Sequence, residues 1–235
     1  MRIMSDQQRK IYQSDGDRYE ALISREDHRG NIMKALDKIV APDDLDILDL
    51  GAGTGRLAVM LAPRARSVQA FDVSEEMLRV CRQKLEANGL SNWRVDVADH
   101  RQLPLNDGSA DLVVSGWSVA YLAVWNPETW RDELEKWLGE MKRVLRRGGH
   151  IVLFESLGTG SEEPMELDHL NEYYPWLDQA GFKKKWIRTD YKFESIEEAE
   201  ELSRFFFGEE LGDQVKKNDW VILPECTGVW WLRMD

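Results

Sequence analysis

Three glycines at alternate positions, Gly51, Gly53 and Gly55, follow Asp49 in the stretch ILDLGAGTGRLA at residues 47–58. An apolar run that ends in glycines and leads into a helical pattern predicts a strand, a tight turn and a helix. Such a turn at the carboxyl edge of a sheet suits a ligand. Missing Cβ atoms let it lie against the backbone, and free N–H groups at the helix start face it. One glycine would serve a turn alone. The G-x-G-x-G spacing also differs from the G-x-G-x-x-G fingerprint of dinucleotide-binding turns. Asp72 ends the next apolar run, where a carboxylate can accept hydrogen bonds from both ribose hydroxyls of an adenosine. Asp72 could instead start the following helix, but Ser74 already offers that cap. Asp99 lies just past the third run, either meeting an adenine amino group or serving only as a turn residue.

Other residues could move protons or cover a second ligand. His100, Tyr121, Glu155 and His169 are candidate general bases; Glu155, ending a strand toward the expected pocket, is preferred, and none is assigned a catalytic role. Cover over an acceptor is expected from Tyr12 and Tyr19, from Phe205, Phe206 and Phe207, and from the segment holding Tyr173, Tyr174 and Trp176. Aromatics at helical spacing are as readily core. Between residues 157 and 182 stand six acids and no Lys or Arg. That run is either a solvated face or a field favouring a neutral or cationic acceptor. Cys81 and Cys226 read as buried thiols, and the four histidines show no ligand spacing, so no metal is indicated.

The elements that must position these residues alternate. Strand-like runs at 45–50, 67–73, 93–98, 110–116 and 150–156 are separated by helical patterns at 56–63, 75–88 and 127–146. This is the pattern of βαβ units in a parallel sheet covered on both faces. Ser74 is expected to cap the helix beginning Glu75-Glu76, and Asn126-Pro127 to open the one ending at Gly148-Gly149. Beyond 156 a short helix around 166–180, a strand 184–193, a long helix 196–217 and a strand 228–234 follow, the two strands pairing antiparallel at one edge.

The bulk composition narrows the classes. A chain of 235 residues suits one α/β domain, here divided into a helical cap (1–40), a ligand-binding core (45–156) and acceptor-side elements that complete the sheet (157–235). Net charge is −12, and the basic clusters at 146–147 and 183–185 are short, so no nucleic-acid partner is expected. No apolar run approaches a membrane span and the polar N-terminus lacks a signal-peptide core; a cytoplasmic protein without a membrane partner is expected.

ILDLGAGTGRLA, FDVSEEML, VADHRQLPLNDGSADLVVSG and MKRVLRRGGHIVLFE together resemble the successive motifs of class I S-adenosylmethionine-dependent methyltransferases, in particular the small-molecule group that includes ubiquinone/menaquinone-type enzymes. The resemblance covers residues 45–156 and reaches the tail only by element order. It implies an α/β, Rossmann-like, seven-stranded, mostly parallel sheet with helices on both faces and the last strand antiparallel. It implies S-adenosyl-L-methionine as cofactor, S-adenosyl-L-homocysteine as product and a small-molecule acceptor. Asp49, Gly51, Ala52, Gly53 and Gly55 would line the methionine end. Asp72, with Val73 beside it, would bind the ribose, and Asp99 with the backbone at His100 the adenine. Ser115, Gly116 and Trp117 would contact the methionine part and face the acceptor. Two positions depart from the family: Ala110 precedes Asp111 where Phe is frequent, and Arg146-Arg147-Gly148-Gly149 replaces Lys-Pro-Gly-Gly. Both concern packing and turn stiffness. The alternatives are a protein side-chain methyltransferase and a catalytically silent cofactor-binding regulatory protein.

Overall fold

A computed structural model describes residues 6–235. Five strands come first: β1 (Asp46–Leu50), β2 (Ser67–Asp72), β3 (Trp93–Val97), β4 (Ala110–Gly116) and β5 (Leu145–Thr159). After them come β6 (Lys183–Arg188), β7 (Tyr191–Lys192), β8 (Ile222–Leu223) and β9 (Glu225–Arg233). Seven form one sheet in the order β3-β2-β1-β4-β5-β9-β6. β1 to β5 are mutually parallel, and β9 runs antiparallel between β5 and β6. The order in which successive strands are added therefore reverses between β1 and β4, which leaves a crevice at the carboxyl ends of those two strands.

Period-two alternation decides which side chain faces which layer. Leu48, Val113, Ile151 and Leu153 enter one core with Leu134, Trp137 and Met141 of α7 (Trp130–Val144). Ile47, Leu112, Val114, Val152 and Phe154 enter the other. There they meet α3 (Asn31–Asp37), α4 (Arg56–Leu61) and α5 (Glu75–Ala87). Both faces are buried, so these strands read as continuous apolar runs rather than alternating ones. A third cluster joins Leu22 and Ile23 of α2 (Gly16–Ile23) to Tyr191, Phe193, Leu202 and Leu223. With α1 (Asp6–Ser14) it roofs the crevice.

Several elements differ from the sequence expectation. The helix expected from residue 127 begins at Trp130 and ends at Val144, because Leu145 already pairs with Ala110 in the sheet. The aromatic stretch GWSVAYLAVW contains a short helix that was not expected, α6 (Ala120–Val124). The helix expected around 166–180 is a single 3-10 turn at Asp168–Leu170 followed by α8 (Tyr173–Gln179). The run 184–193 is not one strand. It bends at Thr189-Asp190, where Asp190 accepts from the Glu225 N–H (3.1 Å) and Arg188 Nε (2.7 Å), and β7 leaves to pair with β8. The helix 196–217 is broken into α9 (Ile196–Phe207) and α10 (Glu209–Lys217) by Gly208, whose φ of 97° no helix can carry. Across that break Arg204 is paired with Glu200, Glu209 and Asp213.

Candidate active site

The three glycines of the turn have different reasons to be glycine. A Cβ on Gly51 would stand 1.8 Å from Ser118 Oγ, and one on Gly55 would stand 2.5 Å from Cys81 Sγ. A Cβ on Gly53 would meet nothing within 4 Å among the described residues. Gly51 and Gly55 thus allow the protein to pack on itself, whereas Gly53 leaves its face open. Its φ is +55°, and its N–H donates to Asp72 Oδ2 at 2.9 Å. The other Asp72 oxygen accepts the Ser74 N–H at 2.8 Å, and Ser74 Oγ caps α5 at Met77. Asp72 therefore ties the turn to the next helix while remaining half-buried at the end of β2. Beside it Val73 is 66% exposed, an apolar side chain held out at the strand end.

Asp49 is fully buried, accepts from the Ala58 N–H (2.9 Å) and is pushed up to about 7 by burial. The nearby Asp72 carboxylate adds to that rise, while Arg56 and Lys84 oppose it. Ala52 is buried, its N–H on Phe71 O. Ser115 turns its hydroxyl inward to Leu50 O (2.7 Å), so any contact it makes beyond the sheet is through its backbone. Gly116 lies against Leu57.

Trp117 adopts φ +52°, a conformation that costs an L-residue roughly 1–2 kcal/mol. Its N–H donates to Phe154 O (2.6 Å), its ring stacks on Phe154, and the Arg56 guanidinium sits 4.1 Å above the ring centre. The strained backbone is over-determined by its neighbours, as expected where a side chain must be aimed.

Asp99 is engaged by its own loop. Arg101 donates to it through its backbone N–H (2.8 Å) and Nε (2.9 Å), and pairs with it again through Nη2. Those bonds hold Asp99 below the ordinary carboxylate range. His100 is half-buried and pushed down to about 4 by desolvation, so it is neutral at physiological pH.

Two cavities meet at this end of the sheet. A small one of about 30 Å³ is lined by Asp49, the glycine turn, Thr54 and Gly116. A larger one of about 340 Å³ lies under α1, α2 and α9. Tyr19, Ile23, Arg56 and Trp117 line both. Tyr12, Tyr121, Phe206 and Phe207 wall the large cavity, and the Tyr12 and Tyr121 hydroxyls are 2.7 Å apart.

Three buried carboxylates also line the large cavity: Glu26, Glu155 and Glu225. Glu26 forms an ion pair with Arg56 at 2.7 Å. Glu155 accepts from the Ala120 N–H and the Tyr173 hydroxyl, each at 3.0 Å, and burial pushes it up to about 8. Glu225 accepts from Ser156 Oγ at 2.9 Å and is likewise pushed up to about 8 by burial.

Tyr121, Glu155 and His169, three of the candidate bases, border this cavity; His100 lies elsewhere, beside Asp99. Tyr173, Tyr174 and Trp176 belong to the core. Tyr173 is buried on Glu155, and Tyr174 stacks on Trp230 with its hydroxyl on Ser156 O. The six acids of 157–182 are all exposed, which corrects the idea that they set the cavity's charge. Glu26, Arg56 and Glu225 were not foreseen. Arg56 directly follows the last glycine of the motif, a placement that could have marked it. Glu26 and Glu225 had no local signal.

Residues 47–149 match the family model described as methyltransferase domain. Demethylmenaquinone methyltransferase of Thermus thermophilus is 37% identical over 124 residues, covering 52% of this chain and 52% of that protein. Malonyl-[acyl-carrier protein] O-methyltransferase of Pectobacterium atrosepticum is 33% identical over 138 residues, covering 59% of this chain and 47% of that protein. The match thus spans about half the length of these curated relatives. Among solved structures, a SAM-dependent methyltransferase from Aquifex aeolicus superposes with a TM-score of 0.58 at 19% identity, covering 92% of this chain and 97% of that one. That likeness concerns the fold.

Proposed function

We propose that this chain, whose residues 47–149 match a methyltransferase domain model, moves a methyl group from S-adenosyl-L-methionine to a small-molecule acceptor, leaving S-adenosyl-L-homocysteine. The observation that carries this reading is the open face of Gly53 beside a cavity that shares Tyr19, Ile23, Arg56 and Trp117 with a second, larger one. A ligand lying on the glycine turn can present one end through that shared wall.

In this reading Asp49, Gly51, Ala52, Gly53 and Gly55 form the bed for the methionine end. Asp72 offers the remaining lone pairs of its two oxygens to the ribose hydroxyls, and Val73 and the His100 backbone flank the adenine. Asp99 is a weaker contributor, since Arg101 already occupies its carboxylate. Ser115, Gly116 and Trp117 carry the chain from the cofactor side to the acceptor side.

The cofactor supplies a methyl already activated by the positive charge on sulfur. The chain's own task is therefore alignment, which can supply about 7–11 kcal/mol. Trp117, fixed by Phe154 and Arg56, walls the junction of the cavities. Tyr12, Tyr19 and Phe206 form an aromatic wall beside it. Glu155, above the ordinary carboxylate range, can accept a proton near neutral pH if the acceptor carries one.

Release of S-adenosylhomocysteine in the presence of a broad small-molecule acceptor panel tests the reading. Turnover above that seen without acceptor supports it. Cofactor binding with no turnover on any acceptor would instead mark a silent binder, and turnover confined to protein substrates would mark a side-chain methyltransferase.

A further inference from the structure

The charges lining the large cavity do not balance. Its arginine, Arg56, pairs with Glu26 at 2.7 Å and lends Glu225 only a longer-range field, so neither Glu155 nor Glu225 has an ion-pair partner there among the described residues. Glu155 has two donors, the Ala120 N–H and the Tyr173 hydroxyl. Glu225 is less satisfied. It is 2% exposed, its Oε1 accepts from Ser156 Oγ, the Thr159 hydroxyl lies near enough to favour its ionised form, and its Oε2 is buried with no hydrogen bond of good geometry among the described residues. A buried polar atom left unpaired costs about 1–3 kcal/mol, so such an atom on a cavity wall calls for a donor from outside.

We propose that this cavity takes a protonated amine with an apolar or aromatic body as its methyl acceptor, anchored by an N–H···O bond to Glu225. The proposal rests on the methyl-transfer reading above. A neutral acceptor without donors would leave Glu225 Oε2 unpaired, and an anion would place its charge among three carboxylates. The rest of the wall suits a cation. Tyr12, Tyr19 and Phe206 form an aromatic cluster, edge-to-face or tilted, with centroids 5.3–6.1 Å apart, and aromatic faces attract cations. Burial holds both free carboxylates near neutrality, so an arriving ammonium can restore their charge.

The chemistry closes without a further reagent. The ammonium gives one proton to a carboxylate of the cavity, leaving a neutral amine. The nitrogen lone pair forms the new N–C bond while the S–C bond electrons return to sulfur. The products are S-adenosylhomocysteine and a methylated ammonium, which keeps the positive charge, and the carboxylic acid returns its proton to solvent.

Calorimetry in two arms separates this proposal from the reading beneath it. The first titrates S-adenosylhomocysteine into the whole chain; absence of binding overturns both. The second titrates three probes of matched shape, phenethylamine, phenethyl alcohol and hydrocinnamate, into the protein loaded with S-adenosylhomocysteine. The amine should bind at least about tenfold more tightly than either other probe, the size of one charge-assisted hydrogen bond. Glu225→Gln should remove most of that preference while leaving S-adenosylhomocysteine affinity within about threefold, and Glu225→Asp should restore part of it. Melting curves confirm that both variants fold. Equal or tighter binding of the alcohol or the acid, no amine binding, or an unchanged amine preference in folded Glu225→Gln overturns the proposal while leaving the methyl-transfer reading in place.

Discussion

The glycine turn and the acceptor cavity lie side by side yet are built in opposite ways. The turn is local. Asp49, the glycines, Asp72 and Ser74 come from one strand–turn–helix and the next strand end, and backbone N–H groups supply most of its bonds. The cavity is assembled from far apart: Glu26 follows α2, Arg56 opens α4, Glu155 lies on β5 and Glu225 begins β9. A site made of backbone and glycine can hold one constant ligand on a scaffold shared with relatives. A site made of side chains from distant elements can be re-specified one residue at a time.

The sharpest way to break that contrast is within the turn itself. Gly51→Ala should destabilise the fold by about 2–4 kcal/mol, since its Cβ would overlap Ser118 and the backbone is left-handed there. Adding Ser118→Gly should recover part of the loss in denaturant melts. A single variant as stable as wild type would mean the turn is looser than described.

Asp72→Ala comes next. A hydrogen bond to a charged group is worth about 1.5–3 kcal/mol, so S-adenosylmethionine should bind roughly tenfold to a hundredfold more weakly to the folded variant. An affinity within twofold of wild type would leave Asp72 with its structural role alone.

The pH dependence should be smaller and specific to the charged cofactor. Asp49 sits at about 7 in the free protein because it is buried. A cation beside it favours the ionised form, so binding below that pH must expel a proton. Affinity for S-adenosylmethionine should therefore fall as pH drops below 7, by at most about tenfold per unit, and level off above it. S-adenosylhomocysteine lacks the sulfonium charge and should show a shallower fall. Equal slopes would place Asp49 beside the α-ammonium that both ligands carry rather than the sulfonium, and flat profiles for both would remove it from the cofactor's vicinity.

The smallest effect belongs to Asp99. Its carboxylate is already committed to Arg101, so Asp99→Asn should change cofactor affinity by no more than about threefold. A tenfold loss would show that the adenine competes successfully for that carboxylate.

The same contrast explains what was legible in the sequence. The glycine spacing, the aspartate at the end of β2 and the Ser74 cap are local signals, and the parallel sheet follows from short apolar runs alternating with helical ones. Gly208 and the Thr189-Asp190 bend escaped because each interrupts a pattern that continues on both sides. Glu26, Arg56 and Glu225 escaped because nothing along the chain says that positions this distant converge. The acidic, aromatic run 157–182 misled: its acids are exposed and its tyrosines are core, while the carboxylates that line the cavity come from elsewhere.

The central claim is that S-adenosylmethionine lies on the open face of Gly53. Calorimetric titration of S-adenosylmethionine into wild type and Gly53→Val tests it most directly, with melting curves to confirm folding. No described residue lies within 4 Å of the missing Cβ, so the valine variant should lose only the roughly 1–2 kcal/mol cost of its left-handed backbone and remain folded. Wild type should bind and the folded variant should show no measurable binding. Equal affinity of the two proteins, or no binding to wild type, would contradict the account.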